Sequence, residues 1–567
     1  MRNTFLAGVA TLGLALGSCG GTDTPSLEYE IVKSRVDSLP ALEVRVHFSP
    51  DDGEVTHLLY QDEAWGETGL FKAIREVKLL EGSGSLRVEP DSGRIRIRHA
   101  PNPGRLTLSY KVVQDPPGPD ARTEPYRPIV QPTYFHVFAH NLLMIPTHYQ
   151  VGEAPTSRIR LKWTGWGAGE VIHNSFGSGQ LEQDLGDIPL DKFHIAIFVG
   201  GDFRVYSEQI EGNGLYLATR GDWVPFQDEK VMELLTSTVR AQRDFWHDHS
   251  QRYFTVTMRP FPMERGSSFQ GTGLTNSFAT SLSNNAETEL DQLLYLFNHE
   301  LMHNWIGSTI ENEAEEAQYW FSEGFTDYYT AKNIAANTIG GKDWSFYIGH
   351  INETLRLLEA SPVKEAPNSE ITYENFWNNP EYGKLPYRRG LLFAFCLDLQ
   401  IREGSKGQKS LDDAMRDLLR NARTPGWKLN SETFVQAVNA YLPNDLTPFF
   451  QKHIIDGQAL PLSDLFDRIG FAYTEEADVF DLGFSWDTDR KEVTAVDPGS
   501  QAYAAGVRAG DRLVSWSINH GQMEREVELV LEREEGQLPV RFFPVRKAQV
   551  VQLLDTPANR DLLSAKP

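Results

Sequence analysis

Two histidines four residues apart, His299 and His303, are the residues whose types and spacing point most directly to a chemistry. On an α-helix, side chains four residues apart lie one above the other, so both imidazoles can bind one metal ion. Glu300 points about 100° round the helix from His299, where it can deprotonate a metal-bound water without being a ligand. The motif predicts a hydrolytic metal site, but a string this short also arises by chance, so its surroundings must support it.

The residues before the motif predict the helix that this chemistry needs. Apolar residues at positions 290, 293, 294, 297 and 301 have helical spacing. Asn284, with Glu287 three residues later, is the predicted N-cap of this helix. The alternative interpretation is a histidine pair buried in a core helix that binds no metal.

A third metal ligand is expected from another element, with one coordination position left open for water. Glu323 is the candidate, because it lies in a stretch, 320–329, whose pattern predicts a second helix with aromatic residues on its inner face. Asp327 lies four residues further along the same face. There it can hold a ligand imidazole by its second nitrogen.

These motifs resemble those of the thermolysin-like metallopeptidases, in which the third ligand is a glutamate on a following helix. Within that clan the chain most resembles the glycyl aminopeptidase family, over nearly its whole mature length. The resemblance implies one Zn²⁺ per chain, bound by His299, His303 and Glu323. It also implies that Glu300 activates a zinc-bound water for peptide hydrolysis. The gap between His303 and Glu323 is short for that family and closer to that of leukotriene-hydrolase-like aminopeptidases, which indicates a trimmed loop.

The resemblance also assigns a donor for the oxyanion of the reaction. Tyr387 matches the tyrosine of the related aminopeptidases' Pro-Tyr-Glu-Lys-Gly motif. Arg388 replaces the glutamate of that motif, so the local charge differs. Tyr382 is the alternative donor, and a packing role is the alternative for Tyr387.

An informative departure from the family lies at 271–282, which resembles its Gly-Gly-Leu-Glu-His edge strand beside the cleft. Gly273 and Thr275 are the predicted substrate-binding residues of this strand. Thr275 stands where the family's glutamate binds the free amino terminus of the substrate, and a neutral hydroxyl attracts an ammonium group only weakly. Either another carboxylate, such as Glu264 or Glu287, takes this role, or the enzyme cuts internally.

The sequence therefore leaves three candidate functions. The sequence favours a zinc-dependent aminopeptidase, and an endopeptidase of the same fold is the alternative within that class. A tethered peptide-binding protein with a silent metal site is the alternative from another class. The complete set of ligands and base argues against the last of these.

Length and patterning predict a multidomain α+β chain. Residues 27–225 are predicted to form a β-sandwich-like N-terminal domain, 226–465 a thermolysin-like, mostly helical catalytic domain, and 471–555 a PDZ domain. Alternating residues at 42–48, 93–98 and 106–113 predict strands of the first domain. The net charge of −24 argues against nucleic acid or an anionic membrane surface as a partner.

The segment 481–484 resembles the PDZ loop whose backbone amides bind a peptide C-terminus. Leu482, Gly483 and Phe484 are the predicted binding residues, and an extended peptide would add as a strand. The partners expected are thus a peptide or protein substrate and a peptide C-terminus. The alternative is a PDZ fold used only for packing within the chain.

The first 26 residues resemble a bacterial lipoprotein signal and tether. The apolar stretch is too short to span a bilayer, and Cys19 follows it as the residue that would carry lipid. This predicts an extracytoplasmic lipoprotein, in the periplasm or outer membrane, that contacts the membrane only through its lipid anchor. Simple secretion is the alternative. With two cysteines the chain has no disulfide framework, and Cys396 is expected to be a core residue.

Overall fold

A computed structural model describes residues 25–101, 104–115, 126–152, 154–534 and 536–565. They form two compact units: the first contains the described residues up to Arg204 together with Leu274–Ser277, and the second contains Val205–Gly273 and the described residues from Phe278 onward. Cys19 and the predicted lipoprotein signal lie outside the described residues. Among the residues that are described, no helix combines the length and hydropathy that a membrane span requires.

The first unit is built almost entirely of strands. Its elements are β1 (Ser26–Val36), β2 (Leu39–Phe48), β3 (Val55–Leu59), β4 (Glu63–Ala64), β5 (Glu67–Thr68), β6 (Ile74–Glu81), β7 (Gly84–Glu89), β8 (Arg94–His99), β9 (Leu106–Val113), β10 (Ile129–Val130), β11 (Tyr134–Phe138), β12 (Ile145–Pro146), β13 (Thr156–Thr164), β14 (Val171–Asn174), β15 (Gly177–Ser178), β16 (Glu182–Pro189), α1 (Leu190–His194) and β17 (Ile197–Gly201). The predicted strands at 42–48, 93–98 and 106–113 are confirmed as β2, β8 and β9.

Three larger sheets of this unit share one apolar core. Their strand orders are β16-β13-β1-β2-β9-β6, β10-β11-β17-β14-β15 and β12-β3-β8-β7. Strand β13 shows why the sequence folds this way, because its buried and exposed residues alternate along the strand. Buried apolar residues from all three sheets belong to a single cluster. The prediction of a β-rich N-terminal part is therefore confirmed.

The second unit mixes strands with many helices. Its elements are β18 (Arg204–Ile210), β19 (Asn213–Thr219), α2 (Asp228–Trp246), β20 (Tyr253–Phe261), β21 (Phe269–Leu274), β22 (Ser277–Ser283), α3 (Leu290–Met302), α4 (Glu315–Ser322), α5 (Gly324–Ala336), α6 (Trp344–Ala360), α7 (Tyr373–Asn378), α8 (Pro380–Gly404), α9 (Leu411–Ala422), α10 (Ser431–Asn439), α11 (Thr447–Phe450), α12 (Leu462–Ile469), β23 (Tyr473–Phe480), β24 (Phe484–Asp487), β25 (Glu492–Val496), α13 (Gln501–Ala505), β26 (Arg512–Ser517), β27 (Val527–Arg533), β28 (Gly536–Phe542), β29 (Val545–Leu553) and α14 (Pro557–Ser564).

Helix α3, which carries the histidine motif, packs between a sheet and other helices. On one side, Leu293, Phe297 and Leu301 join the core of the sheet β18-β19-β20-β22-β21. Met302 belongs to the large apolar core shared by α4–α6, α8–α12 and α14. Burial on both sides fixes the rotation of α3 about its axis, and with it the direction of the histidines. The predicted helical part of the chain is confirmed.

The C-terminal part of this unit contains two further sheets. Strands β24-β25-β26-β27-β28 form one sheet with its own core, and β23 pairs with β29. The β23–β29 pair packs on α6, where the Asn352 side chain hydrogen bonds to both the N–H and the carbonyl of Leu553. Val479 and Leu553 lie in the core of the helices.

Candidate metal centre

Helix α3 presents the histidine motif, but it begins later than the sequence predicts. Its N-cap is Glu289, which forms a reciprocal capping box with Gln292. The predicted N-cap, Asn284, is wrong, because its side-chain oxygen accepts a hydrogen bond from the backbone N–H of Val224 instead. The side chain of Glu287 accepts from the N–H of Gly266.

The two histidines and Glu323 converge on one point. Nε2 of His299 lies 3.2 Å from Nε2 of His303 and 3.4 Å from Oε2 of Glu323. The third side of this triangle, from Nε2 of His303 to Oε2 of Glu323, is 3.8 Å. Ligand atoms about 2.0–2.1 Å from a tetrahedral zinc ion are about 3.3–3.4 Å apart. The triangle therefore has the size of one face of a zinc site.

Hydrogen bonds at the far side of each ring decide where the imidazole protons are. Nδ1 of His299 lies 2.8 Å from Oδ1 of Asp327, and Nδ1 of His303 lies 3.1 Å from the carbonyl oxygen of Ile306. A carboxylate and a carbonyl only accept hydrogen bonds, so both Nδ1 atoms must donate. A neutral ring with its proton on Nδ1 turns a bare Nε2 lone pair toward the centre.

The third corner of the triangle is a carboxylate oxygen. Oε2 of Glu323 is buried and faces Nε2 of His299. Burial favours the neutral acid, but a hydrogen bond with His299 and the nearby imidazoles outweigh it, so the pKa of Glu323 lies below its ordinary value. The same balance lowers the pKa of Asp327, for which His299 is again the main partner. Two imidazole nitrogens and one carboxylate oxygen thus face one another, and this set of ligand atoms fits a divalent metal such as zinc.

Glu323 lies at a break between two helices, whereas the sequence predicts one helix over 320–329. Helix α4 ends just before Glu323, and α5 begins just after it at Gly324. The break falls where the backbone of Gly390 on α8 approaches this segment closely. A Cβ on Gly390 would lie 1.9 Å from the carbonyl oxygen of Trp320. Asp327 still follows on the same face, with its N–H bonded to the carbonyl of Glu323.

Tyr387 of α8 stacks on the metal triangle. Its ring lies 6.0 Å from that of His299, at an interplanar angle of 20°. Burial, together with the carboxylate of Glu323, raises the pKa of the Tyr387 hydroxyl well above its ordinary value. The hydroxyl therefore keeps its proton and can act as a donor. Tyr382, the alternative donor, instead donates its hydroxyl to Glu370 at 2.6 Å.

Two arginines, Arg388 and Arg389, follow Tyr387, whereas the related motif has a glutamate and a lysine at these positions. Arg388 pairs with Glu381 at 3.6 Å. Arg389 is buried and donates to the carbonyls of Lys364 and Ala366. Glu300 is half-buried next to His299, and its charge contributes to the raised pKa of Tyr387. Glu300, Glu323 and Tyr387 therefore lie in one electrostatic environment.

A second layer of hydrogen bonds, which was not predicted from the sequence, lies behind Asp327. The hydroxyl of Tyr295 donates to Oδ1 of Asp327 at 2.9 Å and lies 3.2 Å from Nε2 of His350 on α6. Tyr295 stands four residues before His299, on the same face of α3, so its spacing was a usable signal. His350 comes from a separate helix, and no local pattern marks it.

The predicted substrate-binding residues lie at the end of an edge strand. Strand β21 is at the edge of its sheet, and Gly273 lies in it with open space where a Cβ would be. Thr275 belongs to the first compact unit, where its hydroxyl donates to the carbonyl of Lys192 at 2.6 Å. Glu264 is exposed. The substrate-binding roles of Gly273 and Thr275 remain predictions.

The C-terminal loop contains the residues predicted to bind a peptide C-terminus. Phe484 is buried at the start of β24, and Leu482 packs partly against the same core. Gly483 has a positive φ of 68°, and its N–H already donates to the side chain of Asp481 at 2.8 Å. This amide is therefore occupied within the chain by a carboxylate of its own loop.

No protein-family model and no curated protein matches this chain. Among solved structures it is similar to an aminopeptidase N family protein from Idiomarina loihiensis, with a TM-score of 0.69 and 16% identity over 95% of this chain and 100% of that one. An M1 zinc metallopeptidase from Deinococcus radiodurans gives a TM-score of 0.44 and 13% identity over 78% of this chain and 96% of that one. The likeness to the Idiomarina protein shows a shared fold.

Proposed function

We propose that this chain is a zinc-dependent peptidase that acts as an aminopeptidase. The observation that carries the proposal is the convergence of one possible ligand atom each from His299, His303 and Glu323 on a single point. Glu300 directly follows His299 on α3. The fold shared with an aminopeptidase N family protein supports the same class of reaction.

Zinc, when bound by these three residues, supplies Lewis-acid chemistry that activates water and polarises the scissile carbonyl. Glu300 accepts the proton of the attacking water and passes it to the leaving amine. Tyr387, which keeps its hydroxyl proton, donates a hydrogen bond to the substrate oxygen as that atom gains negative charge. Asp327 fixes the tautomer and orientation of His299 through its hydrogen bond to Nδ1.

The choice between aminopeptidase and endopeptidase depends on how the substrate amine is recognised. Thr275 provides no carboxylate, so we propose that Glu264 or Glu287 binds the ammonium group. The test uses one peptide panel with free and acetylated amino termini, with Glu300→Gln as the blank and products identified by mass. Stepwise cleavage of the free forms alone supports the aminopeptidase. A KM increase confined to these peptides in Glu264→Gln or Glu287→Gln would identify the carboxylate.

Internal cleavage of both free and acetylated peptides would replace the aminopeptidase with an endopeptidase of the same fold. Absence of turnover by the zinc-loaded wild-type protein on the whole panel would contradict the peptidase. In that case a tethered peptide-binding protein would be the better account. Strand β24, at the edge of its sheet, would then be the place for an added peptide strand.

The location and remaining partners belong to the same proposal. We infer an extracytoplasmic lipoprotein, attached through Cys19, that has no nucleic-acid partner. Metabolic labelling with a radioactive fatty acid, compared between the wild type and Cys19→Ala, tests the anchor. Label retained in Cys19→Ala would contradict it.

A further inference from the structure

Two exposed aromatic rings lie side by side on the short helix α7. Tyr373 is 62% exposed and Trp377 is 65% exposed, and their ring centroids are 6.2 Å apart. Large apolar side chains so exposed contribute little to the core, and neighbouring ones commonly mark a binding surface. We call this pair the aromatic platform.

Hydrogen bonds attach α7 to neighbouring segments of the chain. The backbone N–H of Tyr373 donates to Glu316 at 2.9 Å, and the Asn375 side chain donates to the carbonyl of Glu370 at 2.8 Å. Helix α8 approaches closely, since a Cβ on Gly383 would lie 2.6 Å from the carbonyl oxygen of Phe376.

A continuous row of rings joins the platform to the metal centre. Trp377 contacts Phe376 at 5.2 Å, and Phe376 stacks on Tyr387 at 6.4 Å with an interplanar angle of 15°. Tyr387 in turn stacks on His299 at 6.0 Å. An extended peptide advances about 3.3–3.6 Å per residue. About five residues therefore span the row from Trp377 to His299 even if its rings lie in a straight line.

We propose that Tyr373 and Trp377 form a subsite for an aromatic side chain of a peptide substrate, a few residues away from the cleaved bond. The inference rests on the proposed peptidase function. A peptide is the occupant that the geometry favours, because the platform continues the row of rings that ends at the catalytic tyrosine and a metal ligand. Stacking on an indole and a phenol ring suits an aromatic partner.

The test compares peptides of about six residues that differ only by phenylalanine or alanine at one position, moved along the peptide. At the position that reaches the platform, kcat/KM for the phenylalanine peptide is divided by kcat/KM for the alanine peptide. This ratio should be about tenfold lower in Trp377→Ala than in the wild type. Most of the loss should appear in KM, because the contact is made equally before and during the reaction. Tyr373→Ala should lower the same ratio. Trp516→Ala removes another exposed tryptophan, 41% exposed on β26, and should leave the ratio unchanged.

A ratio that stays the same in Trp377→Ala at every position would overturn the subsite. So would an equal fall in Trp516→Ala. Calorimetric binding of the same peptides to zinc-loaded Glu300→Gln separates this inference from the proposed function. One outcome is that the wild type cleaves no peptide, while phenylalanine peptides still bind more tightly than alanine peptides and do so only when Trp377 is present. In that case the subsite stands and the peptidase fails. Equal binding with and without Trp377 removes the subsite whatever the activity.

Discussion

Gly324 on α5 and Gly390 on α8 meet where the two helices cross, and neither position has room for a methyl group. A Cβ on Gly324 would lie 2.4 Å from the Cα of Gly390. Glu323 directly precedes Gly324, and Tyr387 lies about one helical turn before Gly390. The crossing therefore sets the separation between Glu323, a proposed metal ligand, and Tyr387.

Replacing Gly390 with alanine should destabilise the protein. The added methyl would overlap the carbonyl oxygen of Trp320, and such overpacking lowers the free energy of unfolding by about 1–3 kcal/mol. Gly349→Ala is the matched control, because this glycine also lies inside a helix but has nothing within 4 Å of its Cβ position. There we expect a gain of about 0.5–1 kcal/mol. Urea unfolding measures both, and a gain in Gly390→Ala would contradict the close crossing.

Removing the Tyr387 hydroxyl should slow catalysis without releasing zinc. Loss of one oxyanion donor lowers kcat by about 10²–10³. Tyr387→Phe should therefore show this loss in peptide hydrolysis while its zinc content stays at the wild-type level. The control is Tyr382→Phe, whose hydroxyl is bonded to Glu370. If Tyr382→Phe showed the larger loss of kcat, the assignment of the donor would be reversed.

Removing the Tyr295 hydroxyl should weaken zinc binding. Without its hydrogen bond, Asp327 orients His299 less firmly, and the loss of such an outer partner costs about 10-fold in affinity. Titration of Tyr295→Phe against a competing chelator measures the zinc dissociation constant directly. Tyr441→Phe is the control, since it removes a comparable hydrogen bond from tyrosine to Asp417 elsewhere. Equal zinc affinity in Tyr295→Phe and the wild type would show that the second layer is not coupled to the metal.

The parts of the site that the sequence predicts are those that depend on a single helix. The spacing of His299, His303 and Glu300 follows from helical periodicity alone, and the structure has this helix. The N-cap prediction failed at Asn284 because its side chain binds Val224, which is 60 residues away in the chain. The break at Glu323 was missed for a similar reason, since the residue that approaches this segment closely is Gly390 on another helix.

Tertiary contacts also explain why His350 and the aromatic platform have no local signal. His350 lies beside Tyr295 because α3 and α6 both pack against α5, and the platform is connected to the site through Phe376 and Tyr387. At Gly483 the sequence motif suggests free amides, but the neighbouring Asp481 occupies one of them. Motif spacing does not reveal which side chain fills a turn.

The buried ion pair between Asp398 and Lys332 should make the free energy of unfolding depend on pH. Asp398 is buried, which alone would raise its pKa, but Lys332 and Arg402 outweigh burial and hold the pKa of this carboxyl below its ordinary 3.8. Its stabilising contribution is therefore complete above that value and is lost as the pH falls through the lower, folded-state pKa. Removing one partner of a buried pair costs about 3–5 kcal/mol.

The measurement is urea unfolding of the wild type and Asp398→Asn between about pH 7 and about pH 3. The difference in the free energy of unfolding should be largest near neutral pH and shrink toward the acid end. The exposed Glu475→Gln should differ little from the wild type throughout. A difference for Asp398→Asn that does not change with pH would contradict the charged state of this aspartate.

Zinc content and turnover of two variants, measured on the same preparations, test whether this site is a catalytic zinc centre. We expect one zinc per wild-type chain, and Glu300→Gln should keep that zinc while losing turnover by a factor of about 10³ or more. Glu323→Gln should lose both zinc and turnover, because it removes one corner of the triangle. A wild-type protein that binds no zinc, or a Glu300→Gln variant that still hydrolyses peptides at the wild-type rate, would contradict the account.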